Sequence, residues 1–164
     1  MAKIIREKCA EFELGPNSEF HFFDREHSYT VPKIRISDPG KSRDVWQTML
    51  SDATFSAPAI FHTSVTTGKI EELVPGPLGT NPVLRLVDHA TMTIYNVTLP
   101  PHIFFPGTID VQVTEEKDGV YVTVYGRGKG NVAWLNERGG DALFTTIVER
   151  FRVYYREKKA VSVE

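Results

Sequence analysis

Five histidines, a lone cysteine and two glycine-rich stretches are the parts of this chain best suited to chemistry. His21, Asp24 and His27 offer two imidazoles and a carboxylate, the donor types of a non-haem metal centre. On an extended strand, however, His21 and His27 share one face while Asp24 points to the other, and no His-Glu-x-x-His helix motif occurs. No metal site is expected. His62, His89 and His102 stand in no local signature that places a serine or cysteine nucleophile beside them. The acid–base arrangement left open is His102 with Asp88, which requires the fold to bring both into one pocket. Cys9 is the only cysteine, so an intrachain disulfide and a cysteine-based metal cage are excluded.

The two glycine stretches read as structure more than as sites. Gly40-Lys41-Ser42 is similar to the end of a phosphate-binding loop, but Arg35 stands where such a loop needs its first glycine. A solvated helix entry accounts for it better. Gly126-Arg127-Gly128-Lys129-Gly130-Asn131 offers successive backbone N–H groups for an anion nest, yet lacks the strand-to-helix setting and the acidic residue of a dinucleotide fingerprint. A flexible turn is the expectation there. No cofactor is expected from either stretch.

The elements that would carry these residues are clearest in the last sixty positions. In residues 108–115, Ile109, Val111 and Val113 alternate with Asp110, Gln112 and Thr114, the period of a strand with one wet and one buried face. Lys117-Asp118-Gly119 supplies a turn, and Val120, Val122 and Val124 alternate with Tyr121, Thr123 and Tyr125 on the return strand. After Gly139-Gly140, Asp141 is placed as an N-cap, and Leu143, Phe144, Ile147, Val148, Phe151 and Tyr155 form a helical stripe that should fray near 157–159.

Upstream, residues 18–24 and 28–36 read as strands, with Pro32 demanding an edge or a bulge in the second. Asp38-Pro39 or Ser42 can cap a short helix whose face holds Val45, Trp46, Met49, Leu50 and Ala53, and a second short helical piece is expected around 55–62. Residues 69–74, 83–87 and 91–99 are β-branched runs whose short connections demand antiparallel pairing. Residues 99–107 form a proline-stiffened loop.

Composition bounds the rest. At 164 residues, with 41% hydrophobic and 24% charged, the chain is sized for one globular domain. We read residues 1–27 as an N-terminal extension or extra strand and 28–164 as the single domain. A net charge of −2 excludes a binder that relies on many basic contacts to nucleic acid. Residues 1–14 lack the apolar core of a secretory signal and no run reaches the ~20 apolar residues of a membrane span, so a soluble, cytoplasmic protein is expected, without integral membrane association. A homodimer is compatible with the sequence.

The order of strand, short helices, antiparallel strands, Gly126-Arg127-Gly128-Lys129-Gly130, Asn136, Gly139-Gly140 and an aromatic helix from Leu143-Phe144 resembles the START-like helix-grip (SRPBCC) superfamily over residues 28–156. That superfamily includes lipid-transfer domains, plant hormone-binding and pollen-allergen proteins, and polyketide-cyclase-like aromatic cyclases. The resemblance implies an α+β fold, with a curved antiparallel sheet wrapped around a long C-terminal helix, two short helices in the N-terminal half, and a cavity for a hydrophobic or amphipathic small molecule. Trp46, Phe61, Tyr95, Phe104, Trp134, Phe144 and Phe151 are candidate liners, and His62, Arg85 and His102 candidate orienting groups for such a lipid-like ligand. The same aromatics would serve equally as filled core. Binding, sequestration or transport is the expected function, with catalysis left open. The alternatives are a cyclase or dehydratase acting on polyketide-like or aromatic substrates, in which His62 or His102 polarises a carbonyl, and a protein-interaction module without a cavity.

Overall fold

The computed structural model describes residues 26–59, 61–76, 79–100, 102, 105, 107–129 and 133–161. Its elements in chain order are β1 (Glu26–Ser37), α1 (Ser42–Leu50), a 3₁₀ turn (Ala53–Phe55), β2 (Lys69–Gly76), β3 (Gly79–Asp88), β4 (Thr93–Thr98), β5 (Gly107–Glu116), β6 (Gly119–Lys129) and α2 (Ala133–Val161). The strand expected at 18–24 and Cys9 lie outside the described residues.

One six-stranded sheet runs in the order β1-β6-β5-β4-β3-β2, with every neighbour antiparallel. The strands from β2 to β6 form a meander, and β1 pairs across the sequence with β6. Pro32 produces the anticipated bulge, because it has no N–H to give the ladder: the β1–β6 register shifts between Val31 and Ile34.

The cross-strand register explains where the core sits. Residues directly opposite in an antiparallel pair point to the same face. Val31, Val124, Val111, Ile94 and Val87 stand opposite one another in succession across five strands, and each is at most 2% exposed. Ile34, Val122 and Val113 repeat the pattern one row further on. Against this β-branched floor α2 lays Phe144, Ile147, Val148, Phe151 and Tyr155, while α1 adds Val45, Trp46 and Met49. Each such side chain removed from water contributes about 1.5–3 kcal/mol, which is what holds helix to sheet. Phe55 from the 3₁₀ turn packs on Phe151 at 5.1 Å between ring centres.

Four local expectations are corrected. Residues 126–129 are not a turn but the end of β6, because β6 is a central strand whose two ladders, to β1 and β5, fix the glycine backbone in place. Helix α2 does not start at Asp141. It starts at Ala133 and passes through Gly139-Gly140, while Asp141 accepts a bond from the Thr145 hydroxyl within the helix. It also continues past 157–159 to Val161. At α1, neither Asp38 nor Ser42 caps the helix through its own side chain. The Glu115 carboxylate reaches over from β5 and takes both the Gly40 N–H and the Ser42 hydroxyl, so the phosphate-loop-like segment is occupied by the chain's own anion. Gly40 is required there by its φ of +80°.

Among the described residues no helix is long and apolar enough to cross a membrane.

Candidate functional site

The concave face is not uniform. One row from the apolar floor, at the end of the sheet where β6 closes, stand Gly126, Ile109, Asn96 and Arg85 in mutual register. The next row brings Gly107 opposite Gly128, and Val83 opposite Thr98. This half of the sheet is small and polar where the other half is branched hydrocarbon, and the segment after α1 lies on it: Val83, Arg85, Asn96 and Thr98 are all buried, with Ser56 on Arg85 and Asn96 and Ala57 against Val83. The C-terminal turns of α2 lie beside Ile36 and Ser37, at the far end of β1. Its 29 residues, about 43 Å of helix, therefore extend back toward the glycine-bearing end.

Arg85 is fully buried, and its fork is used by the chain itself. Nη1 donates to the Ala53 carbonyl at 3.3 Å and to Ser56 Oγ at 3.0 Å, Nη2 donates to the same carbonyl, and Nε lies 2.9 Å from Glu71 Oε2. Burial lowers the guanidinium's pKa, and the Glu71 and Asp52 charges oppose that. Arg85 thus pins the segment after α1 down onto the sheet, a role that a buried, paired charge fills well. Asn96 completes the pin: its Nδ2 donates to the Ser56 and Ile109 carbonyls. Its Oδ1 is buried with no hydrogen-bond partner among the described residues. Such an oxygen costs roughly 1–3 kcal/mol of desolvation unless a donor meets it.

His102 lies in the connection between β4 and β5, whose ends are tied by the Thr98 hydroxyl donating to the Gly107 carbonyl at 3.0 Å. It is 8% exposed, and burial pushes its imidazole down to about 4, so the ring is neutral at pH 7. Asp88 sits at the opposite end of β4, paired with Thr93, so His102 and Asp88 do not form an acid–base pair.

The other candidates scatter. Phe144 and Phe151 lie on the inward stripe of α2, and Trp46 is buried under α1 with its indole N–H on His89 Nδ1 at 3.2 Å. By alternation with Ile94, Tyr95 points to the convex face. Phe61 is 70% exposed, and His62 is an open side chain held at 2.6 Å by Asp52. Phe104 lies outside the described residues, and of Trp134 the structure describes only its backbone place in the first turn of α2. Sequence reasoning overlooked Asn96 and Glu71. Asn96 was readable, since it shares the inward parity of Ile94; Glu71 was not, because its partner lies on another strand.

The convex face carries a second polar group. Asp110 lies 3.8 Å from the Arg127 guanidinium, whose Nε donates to Thr108 Oγ1. Burial pushes the Asp110 carboxyl up to about 6, against the pull of Arg127. No cluster of three or more His, Cys, Asp or Glu able to hold a metal occurs among the described residues.

No family model and no curated protein matches the sequence. Solved structures do. Norcoclaurine synthase from Thalictrum flavum, in complex with dopamine and hydroxybenzaldehyde, superposes with a TM-score of 0.55 at 9% identity, over 85% of this chain and 94% of that one. XoxI from Bacillus cereus gives 0.58 at 14%, over 82% and 97%. Ara h 8.0201 gives 0.54 at 13%, over 81% and 99%. At such identities the likeness speaks of backbone alone, and the antiparallel sheet gripping a long C-terminal helix is the feature held in common. The chain has the helix-grip fold.

Proposed function

We propose that this protein binds a hydrophobic or amphipathic small molecule between the glycine-bearing half of its concave face and the first turns of α2. The observation that carries the reading is the change of character between neighbouring rows of the sheet. Val31, Val124, Val111, Ile94 and Val87 build a hydrocarbon core, whereas the rows beside it carry Gly126, Gly107 and Gly128 together with the buried polar side chains Arg85, Asn96 and Thr98. Apolar ligand area withdrawn from water would supply affinity at about 25 cal/mol per Å², offset by the cost of immobilising the ligand. Asn96 Oδ1 would accept from a ligand hydroxyl or N–H, and His102 would present a neutral ring to its polar end. Phe144 faces the core from α2. The norcoclaurine synthase complex with dopamine and hydroxybenzaldehyde supports a ligand of this size in this fold.

Nile red, a neutral apolar dye, tests the reading. Gly126→Leu projects a side chain into the proposed space and should reduce dye binding at least tenfold while the melting temperature stays near wild type. Undiminished binding in that folded variant would remove the site.

One observation favours a catalytic variant of the same reading. A neutral, buried imidazole at this end could exchange a proton with a bound carbonyl compound. Consumption of hydroxybenzaldehyde in the presence of dopamine, lost in His102→Gln, would support an enzyme. Equal rates in both proteins, or no turnover, would leave a carrier.

A further inference from the structure

At the opposite end of the molecule an open pocket of about 420 Å³ lies between the last residues of β1, the loop before α1 and the C-terminal turns of α2. Its walls include four cations, Arg35, Lys41, Arg156 and Lys159, against one carboxylate, Asp38. That excess is unusual in a chain whose net charge is −2. Cations near a helix C-terminus ordinarily complement its dipole, which amounts to about half a charge. Asp44 lies behind Lys159, Asp38 and Asp118 lie by Arg35, and Glu115 sits on Gly40 and Ser42 beside Lys41, so the positive charge left without an ion pair is that of Lys41 and Arg156; two of the four cations come from other elements.

The groups differ in how they are held. Arg35 Nη2 is fixed by Asp38 at 2.9 Å and by the Asp118 carbonyl at 2.6 Å. Lys159 is held on Asp44 at 2.8 Å, over the Tyr155 ring. The Tyr155 hydroxyl donates to Asp44 as well, and burial with that carboxylate pushes its phenol up to about 12. Lys41 and Arg156 take part in no ion pair among the described residues. A preformed wall of two anchored cations thus faces two cations with free valence.

We propose that this pocket is a second binding site, for a compact group of two or more negative charges such as a phosphomonoester or diphosphate. Lys41 and Arg156 supply the closing contacts, and Arg35 and Lys159 the fixed field. Charge-assisted bonds of this kind are the strong ones, and Arg matches phosphate oxygens two at a time. The anion is borne either by a soluble metabolite or by a lipid headgroup.

Inorganic pyrophosphate, titrated calorimetrically at low ionic strength, and phosphatidylcholine vesicles containing phosphatidic acid provide the two arms of the test. Pyrophosphate is expected to bind the wild-type chain, with affinity falling about tenfold in each of Lys41→Ala and Arg156→Ala. Lys69→Ala, which removes the same charge from the far edge strand, should leave it unchanged. Both pocket side chains are exposed, so melting temperatures should hold. Vesicle binding that pyrophosphate displaces would assign the anion to a lipid; binding of pyrophosphate alone would assign it to a soluble compound. Absence of binding in both arms, or binding indifferent to Lys41 and Arg156, would overturn the proposal. Neither result bears on Nile red, a neutral dye directed at the other end of the sheet.

Discussion

Arg85 shows how one side chain can be foreseen in position and misjudged in duty. Its inward direction follows from alternation with Val83 and Val87 in β3, and a charge so placed invites a ligand-binding reading. Its partners Glu71 and Ser56 come from other segments, and only the folded chain reveals that the guanidinium is already engaged. Arg85→Met should therefore destabilise in urea titration, since it removes the buried partner of Glu71 Oε2 and leaves that carboxylate to Lys69 and Thr63 on Oε1, and Glu71→Met added to it should recover part of the loss. Two other residues set an opposing pair of pH responses. His102 titrates near 4 when folded and near 6.5 when unfolded, so the unfolded chain binds the extra proton and stability falls as pH drops through that window. Asp110 titrates near 6 when folded against an ordinary value of 3.8, so here the folded chain binds the proton and stability rises as pH drops. Each contributes up to about 3 kcal/mol, and the two largely cancel. Melting temperatures should vary little with these groups in place, whereas Asp110→Asn should unmask an acid-side loss and His102→Gln an acid-side gain between pH 4 and 6.5.

Among the elements, those defined by a repeating pattern were legible and those defined by a partner were not. Alternation identified β5 and β6, the Pro32 bulge marked β1, and the stripe from Phe144 to Tyr155 fixed the inward face of α2. Glycine misled twice. At Gly126 and Gly128 two flanking ladders override backbone freedom, and at Gly139-Gly140 good helix formers on either side carry the helix through. Gly139 has open space where a β-carbon would go and a helical backbone that alanine shares. Gly139→Ala should raise stability by about 0.5–1 kcal/mol in thermal denaturation. Unaltered Nile red affinity in that variant would show that the glycine pair is not needed for ligand entry.

Across the whole molecule, the architecture was readable because it is encoded redundantly, by many alternating and periodic positions at once. The candidate site was only half readable. Its apolar boundary follows from those same patterns, but its polar members depend on which rows the register sets side by side. Register also brings the earliest described strand against the latest one. β1 finds its ladder on β6, some ninety residues downstream, and its shield on α2 beyond that; Tyr155 reaches back 111 residues to Asp44. During synthesis on the ribosome, β1 therefore waits with an unmet edge until nearly all of the chain has emerged. Joining such distant segments is slow, and a waiting edge is open to other chains. A nascent chain arrested before residue 119 should remain protease-sensitive and depend on chaperones, whereas release beyond residue 161 should bring protection in a single late step.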